Sequence, residues 1–116
     1  MASEILSLSN RKIILGVSGS IATYKSLEVL RLLVGEGADV YVTMSTNAIK
    51  FITPLTYEAL SGHSVYHQVF DSISSQSMEH ISLAESADLL IVAPATAGTI
   101  GKMANGIADD ALSNLF

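Results

Sequence analysis

Two short apolar runs constrain the fold of this chain more than any other feature of its sequence. Lys12–Val17 reads K-I-I-L-G-V and residues 87–93 read A-D-L-L-I-V-A, so both have the length of a strand and are rich in Ile, Leu and Val. Strands that read as continuous apolar runs are buried on both faces, as in parallel sheets covered by helices. Both runs therefore predict buried strands, and residues 87–93 give the clearest signal of one.

Segments with helical patterning separate the strand candidates. Residues 21–37 carry apolar side chains at three- and four-residue spacing and end at glycines, and residues 38–44 alternate as a second strand. Further predictions are short helices over residues 46–51, 54–60 and 81–86, a weaker strand over 65–70, a polar loop over 71–77, a turn over 94–98, a helix over 99–105 and a last helix after Asp109 or Asp110. Strands that alternate with helices indicate an α/β fold with a parallel sheet and helices on both faces.

The length and ends of the chain bound its organisation. Its 116 residues fit one domain, which we predict over residues 11–116 behind a flexible leader at 1–10. The sequence ends inside a helical pattern without a stop signal, so we expect the domain to be truncated at its C-terminal end.

Composition excludes several classes of function. The net charge is -5 and the six Lys and Arg residues are scattered, which disfavours a nucleic-acid partner. The chain has no Cys, so it holds neither a disulfide nor a catalytic thiol. Its first residues do not read as a signal peptide and no apolar run is long enough to span a membrane, so a soluble cytoplasmic protein with no membrane partner is predicted.

Three loops at strand ends are candidate ligand sites, because ligands of open α/β sheets bind outside the carboxyl ends of the strands. The first, G-V-S-G-S-I-A at residues 16–22, is small and hydroxylic at the start of a helix, which favours a phosphate. Its spacing is neither the dinucleotide G-x-G-x-x-G nor a P-loop, so a mononucleotide fits better than NAD. An ordinary tight turn is the alternative reading.

The other two loops follow residues 38–44 and 87–93. Ser45-Thr46-Asn47 could line the same site or simply cap a helix. The loop over residues 94–99, P-A-T-A-G-T, places small and hydroxylic residues where a flat ring could lie, and a Pro-directed turn followed by a cap is its alternative.

Histidine is the remaining chemical candidate. His80 lies beside Glu79 at a predicted helix start, and a His near neutral pH can act as acid or base or bind a carboxylate. A surface or core position is the alternative. His63 and His67 are four residues apart with no third ligand evident, so no metal site is predicted.

Five segments in register carry a family resemblance: G-V-S-G-S-I-A-T-Y-K at 16–25, F-I-T-P-L at 51–55, M-E-H-I-S-L at 78–83, A-D-L-L-I-V-A-P-A-T-A-G-T at 87–99 and K-M-A-N-G-I-A-D-D at 102–110. Together they resemble the homo-oligomeric flavin-containing cysteine decarboxylases over nearly all of residues 11–116. The chain is most similar to the phosphopantothenoylcysteine decarboxylase part of the bacterial bifunctional coenzyme A flavoprotein.

The resemblance implies a fold, a cofactor and an assembly. The fold would be a Rossmann-like, flavodoxin-like three-layer sandwich, assembled as homotrimers or dodecamers of trimers with FMN between subunits. A ligase domain would be fused beyond this chain.

By the same resemblance, the FMN site would include Ser18, Gly19, Ser20 and Ile21 around the phosphate and ribityl chain, and Ser45 from the second loop. The loop of Pro94, Ala95, Thr96, Ala97, Gly98 and Thr99 would lie against the flavin ring, and His80 would be the active-site His.

The implied reaction is the decarboxylation of 4'-phosphopantothenoylcysteine, assisted by oxidation and re-reduction of its cysteine end. Gly98 stands where the family usually has Asn, which leaves one amide contact missing. The family's P-x-M-N-x-x-M-W segment and Cys-bearing flap are not in this sequence, so we expect this chain alone to hold most of an FMN pocket without full turnover. The alternatives are an oxidative peptidyl-cysteine decarboxylase and a non-catalytic flavin-binding or oligomerisation module.

Overall fold

Strands and helices alternate along the chain, as the sequence predicts. The computed structural model describes residues 8–67 and 85–106. Its strands are β1 (Lys12–Val17), β2 (Asp39–Met44) and β3 (Leu89–Val92), and its α-helices are α1 (Lys25–Gly35), α2 (Pro54–Ser61) and α3 (Ala97–Ala104). Two short 3-10 helices, Ile21–Tyr24 and Ala48–Lys50, precede α1 and α2.

The described strands form one parallel sheet in the order β2-β1-β3. In its register, Ile13 lies beside Val40 on one side and beside Leu89 on the other. The central strand β1 has the bounds predicted from its apolar run, and Ile13, Leu15 and Val17 are buried in the core. Burying one such side chain stabilises the fold by about 2 kcal/mol, so β1 anchors the domain.

The strand predicted at residues 87–93 is present but shorter and less buried than expected. It spans Leu89–Val92, and Leu89 is 52% exposed. Within the described residues β3 pairs with β1 alone, while α1 and α2 contact each other and β2. The prediction of a strand is therefore confirmed, and the burial expected for it is only partial.

The helix boundaries differ from the sequence predictions at their first turns. The segment predicted as one helix over residues 21–37 begins as a 3-10 helix and becomes α-helical at Lys25. The third helix begins at Ala97, two residues before the predicted start, and so shortens the predicted turn. The stop at Gly62 is confirmed, since Gly62 has a left-handed conformation with φ of 78° and donates its N–H to the Glu58 carbonyl.

Several predictions fall partly or wholly outside the described residues. The weak strand over 65–70 is seen at Tyr66, which forms a parallel bridge with Thr43, and its last three residues lie outside. Leu8 packs against the core and donates its N–H to the Glu36 carbonyl. Residues 1–7 of the predicted leader lie outside the described residues. The predicted loop over 71–77, most of the helix over 81–86 and the last helix after residue 108 also lie outside. In the part of the chain that is described, no helix is long and apolar enough to cross a membrane.

Candidate functional site

The three candidate loops converge at the carboxyl edge of the sheet. Val17 at the end of β1 lies beside Met44 at the end of β2, and Gly16 lies beside Val92 in β3. The ladder continues into the loops, because Ser45 N–H donates to the Val17 carbonyl at 2.9 Å. A parallel register therefore brings together residues that are more than 70 positions apart in sequence.

Ser18 joins the first loop to the third. Its side chain is fully buried, and its Oγ donates a hydrogen bond to the Pro94 carbonyl and accepts one from the Thr96 N–H at 3.0 Å. A hydroxyl has a single proton to donate. The Ser18 hydroxyl, which the sequence suggested as a donor to a cofactor, therefore already donates within the protein. Ser18 contributes to the site by holding the third loop.

Gly19 joins the first loop to the second. A Cβ at Gly19 would lie 2.5 Å from the Asn47 carbonyl carbon, 2.6 Å from the Asn47 Cβ and 2.7 Å from the Ala48 N. The first two of these distances involve Asn47, whose backbone is fixed by the turn that follows Ser45. Only a glycine permits this approach of the two loops.

Ser20 and Thr23 shape the first turn after β1. The Ser20 Oγ accepts from the Ala22 N–H at 3.1 Å, and the Thr23 Oγ1 accepts from the Ser20 N–H at 2.8 Å. Two of the N–H groups at the start of this turn are thus satisfied within the protein, which makes it a weaker anion site than an open helix start. Ile21, in contrast, is 83% exposed at the rim.

Ser45 acts as a cap in this structure. It is buried, and its Oγ accepts from the Ala48 N–H at 3.2 Å, which is the reading that the sequence gave as the alternative to ligand binding. Its backbone still lies at the edge between the first two loops.

The third loop is the most open of the three. Pro94 and Thr96 are half-buried, Ala95 is exposed, and the peptide bond before Pro94 is cis. Ala97 begins α3 with Gly98 and Thr99 in its first turn, and the Thr96 carbonyl accepts from the Ile100 N–H at 2.9 Å. Pro94 to Thr99 therefore combine a turn with a helix start.

Neutral donors and small residues make up this edge. None of the residues at 16–22, 45–49 and 94–99 is charged, and the hydroxyl groups there belong to Ser and Thr. Such a donor set binds a phosphate ester without repelling it and leaves room for a flat ring.

Three buried hydroxyl residues behind the loops were not singled out from the sequence as site residues. They are Thr23, Ser26 and Tyr57, all of which are almost completely buried. The Ser26 Oγ and the Tyr57 hydroxyl lie 2.7 Å apart. The spacing of Thr23 and Ser26 on one helical face could have indicated a buried polar pair, but no sequence signal connects either residue to Tyr57.

The opposite edge of the sheet is charged. The Lys12 N–H donates to the Asp88 carboxylate at 2.8 Å, and the His63 Nε2 lies 2.6 Å from the Asp39 Oδ1. The His63 ring also stacks on Tyr41 with 3.9 Å between ring centroids. His63 is therefore engaged in a surface pair, and among residues 8–67 and 85–106 no group of three potential ligands could hold a metal ion. The remaining candidate, His80, lies outside the described residues.

Comparison with known proteins decides the family. The model of the Flavoprotein family matches residues 1–116. The chain belongs to the Flavoprotein family. This membership agrees with the resemblance predicted from the five sequence segments.

The curated relatives of this Flavoprotein domain are bifunctional proteins. The chain is 51% identical over 106 residues to the coenzyme A biosynthesis bifunctional protein CoaBC of Bacillus subtilis, covering 91% of the chain and 26% of the relative. It is 47% identical over 110 residues to the protein of the same name from Escherichia coli strain K12, covering 95% of the chain and 27% of the relative. The chain thus spans about a quarter of the length of these relatives.

Solved structures confirm the fold class. The crystal structure of the FMN-dependent cysteine decarboxylase SpaF aligns with a TM-score of 0.80 at 29% identity, over 94% of this chain and 63% of that one. TvaF, an FMN-dependent cysteine decarboxylase from thioviridamide biosynthesis, gives 0.80 at 26% identity, over 92% of this chain and 66% of that one. The α/β, flavodoxin-like architecture predicted from the sequence is therefore confirmed.

Proposed function

We propose that this Flavoprotein chain supplies the FMN-holding part of a 4'-phosphopantothenoylcysteine decarboxylase in coenzyme A biosynthesis. The observation that carries the proposal is the 51% identity to a CoaBC protein across 91% of the chain. The identity to the cysteine decarboxylases SpaF and TvaF is 29% and 26%. The higher identity to the CoaBC protein favours 4'-phosphopantothenoylcysteine over a peptidyl cysteine as the substrate.

The residues at the carboxyl edge fit FMN. The three loops contain no carboxylate that would repel a phosphate ester, and their hydroxyl groups are neutral. Gly19, Ser20 and Ile21 would hold the phosphate and ribityl chain, the Ser45 backbone would border it, and the loop from Pro94 to Thr99 would face the ring. Ser18 would keep the first and third loops in register.

The reaction leaves the oxidation state of the whole substrate unchanged. The bond between the cysteine α-carbon and its carboxylate breaks, and carbon dioxide leaves. The α-carbon gains a proton in its place. When bound, FMN supplies a reversible two-electron acceptor for the thiol-bearing carbon, which makes the carboxylate easier to lose. We propose that His80 binds the substrate carboxylate or moves a proton at the cysteine end.

We further propose that the working form is a cytoplasmic homotrimer, or a dodecamer of trimers, with a ligase domain in the same polypeptide. Its support is an exposed apolar rim beside the candidate site: Ile21 is 83%, Leu55 71% and Tyr24 56% exposed. Tyr24 ends the 3-10 helix that follows β1, and Leu55 lies in the first turn of α2. An exposed apolar patch is typical of a subunit contact.

Two measurements test this proposal in order. The chain is purified and titrated with FMN, and we expect quenched flavin fluorescence with a perturbed visible spectrum. A chain that takes up no FMN would remove the cofactor and with it the proposed activity. Size-exclusion chromatography with light scattering then gives the mass of the particle, and Leu55→Glu should shift it toward the monomer.

The second step tests the chemistry on the full-length protein. 4'-Phosphopantothenoylcysteine is incubated with the wild type and with His80→Asn, with His63→Asn as the matched control at a His that pairs with Asp39. We expect loss of carbon dioxide to give the saturated thiol, which His80→Asn should abolish and His63→Asn should leave unchanged. An enethiol as the final product would instead favour the oxidative peptidyl-cysteine class.

A further inference from the structure

A series of buried hydrogen bonds runs from α2 toward the ligand loops. The Ser26 Oγ donates to the Thr23 carbonyl at 2.6 Å and lies 2.7 Å from the Tyr57 hydroxyl. Because Ser26 has one hydroxyl proton and gives it to Thr23, Tyr57 must be the donor in its bond with Ser26. The direction of these contacts is therefore fixed.

The series continues into the first loop and then into the third. The Thr23 Oγ1 donates to the Ser18 carbonyl at 2.8 Å and accepts from the Ser20 N–H at 2.8 Å. The Ser18 Oγ donates to the Pro94 carbonyl and accepts from the Thr96 N–H at 3.0 Å. The hydroxyls of Thr23 and Ser18 thus each donate to a backbone carbonyl of the ligand loops and accept from a backbone N–H of these loops.

We propose that Tyr57, Ser26, Thr23 and Ser18 are positioning residues that hold the first and third loops in the geometry that binds flavin. The proposal rests on the proposed FMN site and assigns it residues that would act by holding the loops. We name the four residues together the hydroxyl relay.

Burial gives the relay its effect. Ser18, Thr23 and Tyr57 are 0% exposed and Ser26 is 1% exposed, so water has little access to a hydroxyl that has lost its partner. An unpaired polar group in such a place is costly, and the loop moves to find another partner. The Ser20 N–H loses its acceptor when the Thr23 hydroxyl is removed, and the Thr96 N–H loses the Ser18 Oγ as an acceptor when the Ser18 hydroxyl is removed.

Thr23 offers a matched pair of variants at one position. Thr23→Val keeps the shape and removes the hydroxyl, whereas Thr23→Ser keeps the hydroxyl and removes a methyl group. We expect Thr23→Val to raise the dissociation constant for FMN about tenfold and Thr23→Ser to stay within about twofold. The bound flavin of Thr23→Val, at saturation, should also show an altered visible circular dichroism.

Serine controls separate the relay from general stability. Ser18→Ala is compared with Ser61→Ala, because the Ser61 Oγ also bonds one carbonyl and one N–H, both of His63, at the far end of α2. We expect Ser18→Ala to weaken FMN binding about tenfold and Ser61→Ala to leave it unchanged. Tyr57→Phe keeps the ring in the core, and we expect a smaller loss of about threefold.

Amide hydrogen exchange without ligand tests the relay independently of flavin. Thr23→Val should speed exchange at Ser20, and Ser18→Ala should speed it at Thr96, while Ser61→Ala should change neither. If the wild type fails to bind FMN, the proposed function fails, and the exchange rates still decide whether the relay orders the loops. Equal FMN affinity and equal exchange in Thr23→Val and Thr23→Ser would overturn the inference, and so would a Ser18→Ala variant that matches Ser61→Ala.

Discussion

The two edges of the same sheet are built from different chemistry. At the amino edge, the Asp88 carboxylate accepts from the Lys12 backbone N–H and the Asp39 carboxylate pairs with the His63 ring, both close to water. At the carboxyl edge, the described loops contain no charged residue, and buried hydroxyls hold them together. Exposed ion pairs contribute little stability because water screens them, whereas a buried hydroxyl bond is costly to break.

The different chemistry of the two edges indicates that they have different roles. The amino edge keeps the strand starts hydrated and paired, and a change there affects stability slightly. The carboxyl edge must hold three loops at fixed distances without placing a charge beside an anionic ligand. A substitution at the carboxyl edge should therefore change ligand binding, and one at the amino edge should not.

Gly19→Ala should have the largest effect. Its Cβ would lie within 2.7 Å of backbone atoms of the second loop, so the loops must separate. Forced overpacking of this kind costs about 2 kcal/mol of unfolding free energy, and we expect FMN binding to be lost. Urea unfolding and FMN titration measure the two effects. Gly35→Ala is the control, because no atom lies within 4 Å of a Cβ at Gly35; an equal loss of binding in both variants would contradict the close-approach argument.

Ser20→Ala should have the next largest effect. It removes the cap that accepts the Ala22 N–H, and loss of such a cap costs about 1 kcal/mol. We expect weaker FMN binding as well, since Ser20 borders the site. Thr53→Ala is the matched control at the start of α2, where the Thr53 side chain makes no capping bond. Thermal unfolding should separate the two variants, and equal melting temperatures would count against the cap.

Alkaline pH should lower the stability of the fold through two tyrosines, Tyr57 and Tyr41. Burial raises the pKa of Tyr57 above its ordinary value of 10.0. Burial and then the Asp39 charge raise the pKa of Tyr41. A raised pKa in the folded state gives stability that is present below pH 10 and lost as the pH rises through the folded value.

Urea unfolding from neutral pH to about pH 11 measures this loss. We expect Tyr57→Phe and Tyr41→Phe each to flatten the alkaline decline, and Asp39→Asn to reduce the part due to Tyr41. A decline that is identical in all of these variants would assign it to other groups.

His63→Gln should have the smallest effect. The pair with Asp39 is partly exposed, and pairs of this kind contribute about 0.5 kcal/mol. We expect a small fall in melting temperature and an unchanged FMN affinity. A change of binding comparable to that of Gly19→Ala would erase the distinction between the two edges.

Local patterns account for what could be predicted from the sequence. The bounds of β1 follow from its uninterrupted apolar run, and the end of α2 follows from Gly62. The convergence of the three loops follows from a parallel sheet alone. The resemblance to flavin-containing cysteine decarboxylases added the flavin, and the substrate class that it implies stays a proposal.

Contacts between distant residues account for what could not be predicted. The hydroxyl of Ser18 finds its partners 76 and 78 positions later, and Ser26 finds Tyr57 31 positions later. The first turn is a 3-10 helix whose Thr23 bonds back to the Ser18 carbonyl, a contact that helical periodicity does not show. The partial exposure of β3 depends on which elements cover it, and its own sequence does not specify them.

The hydroxyl relay also limits how protons can move. The proton of Ser26 points at the Thr23 carbonyl, and that of Thr23 points at the Ser18 carbonyl. A backbone carbonyl accepts a hydrogen bond but cannot pass a proton onward as a hydroxyl or a water can. The series from Tyr57 is therefore insulating for protons, and a proton consumed at the loops must arrive from solvent, from the substrate or from a side chain outside this series.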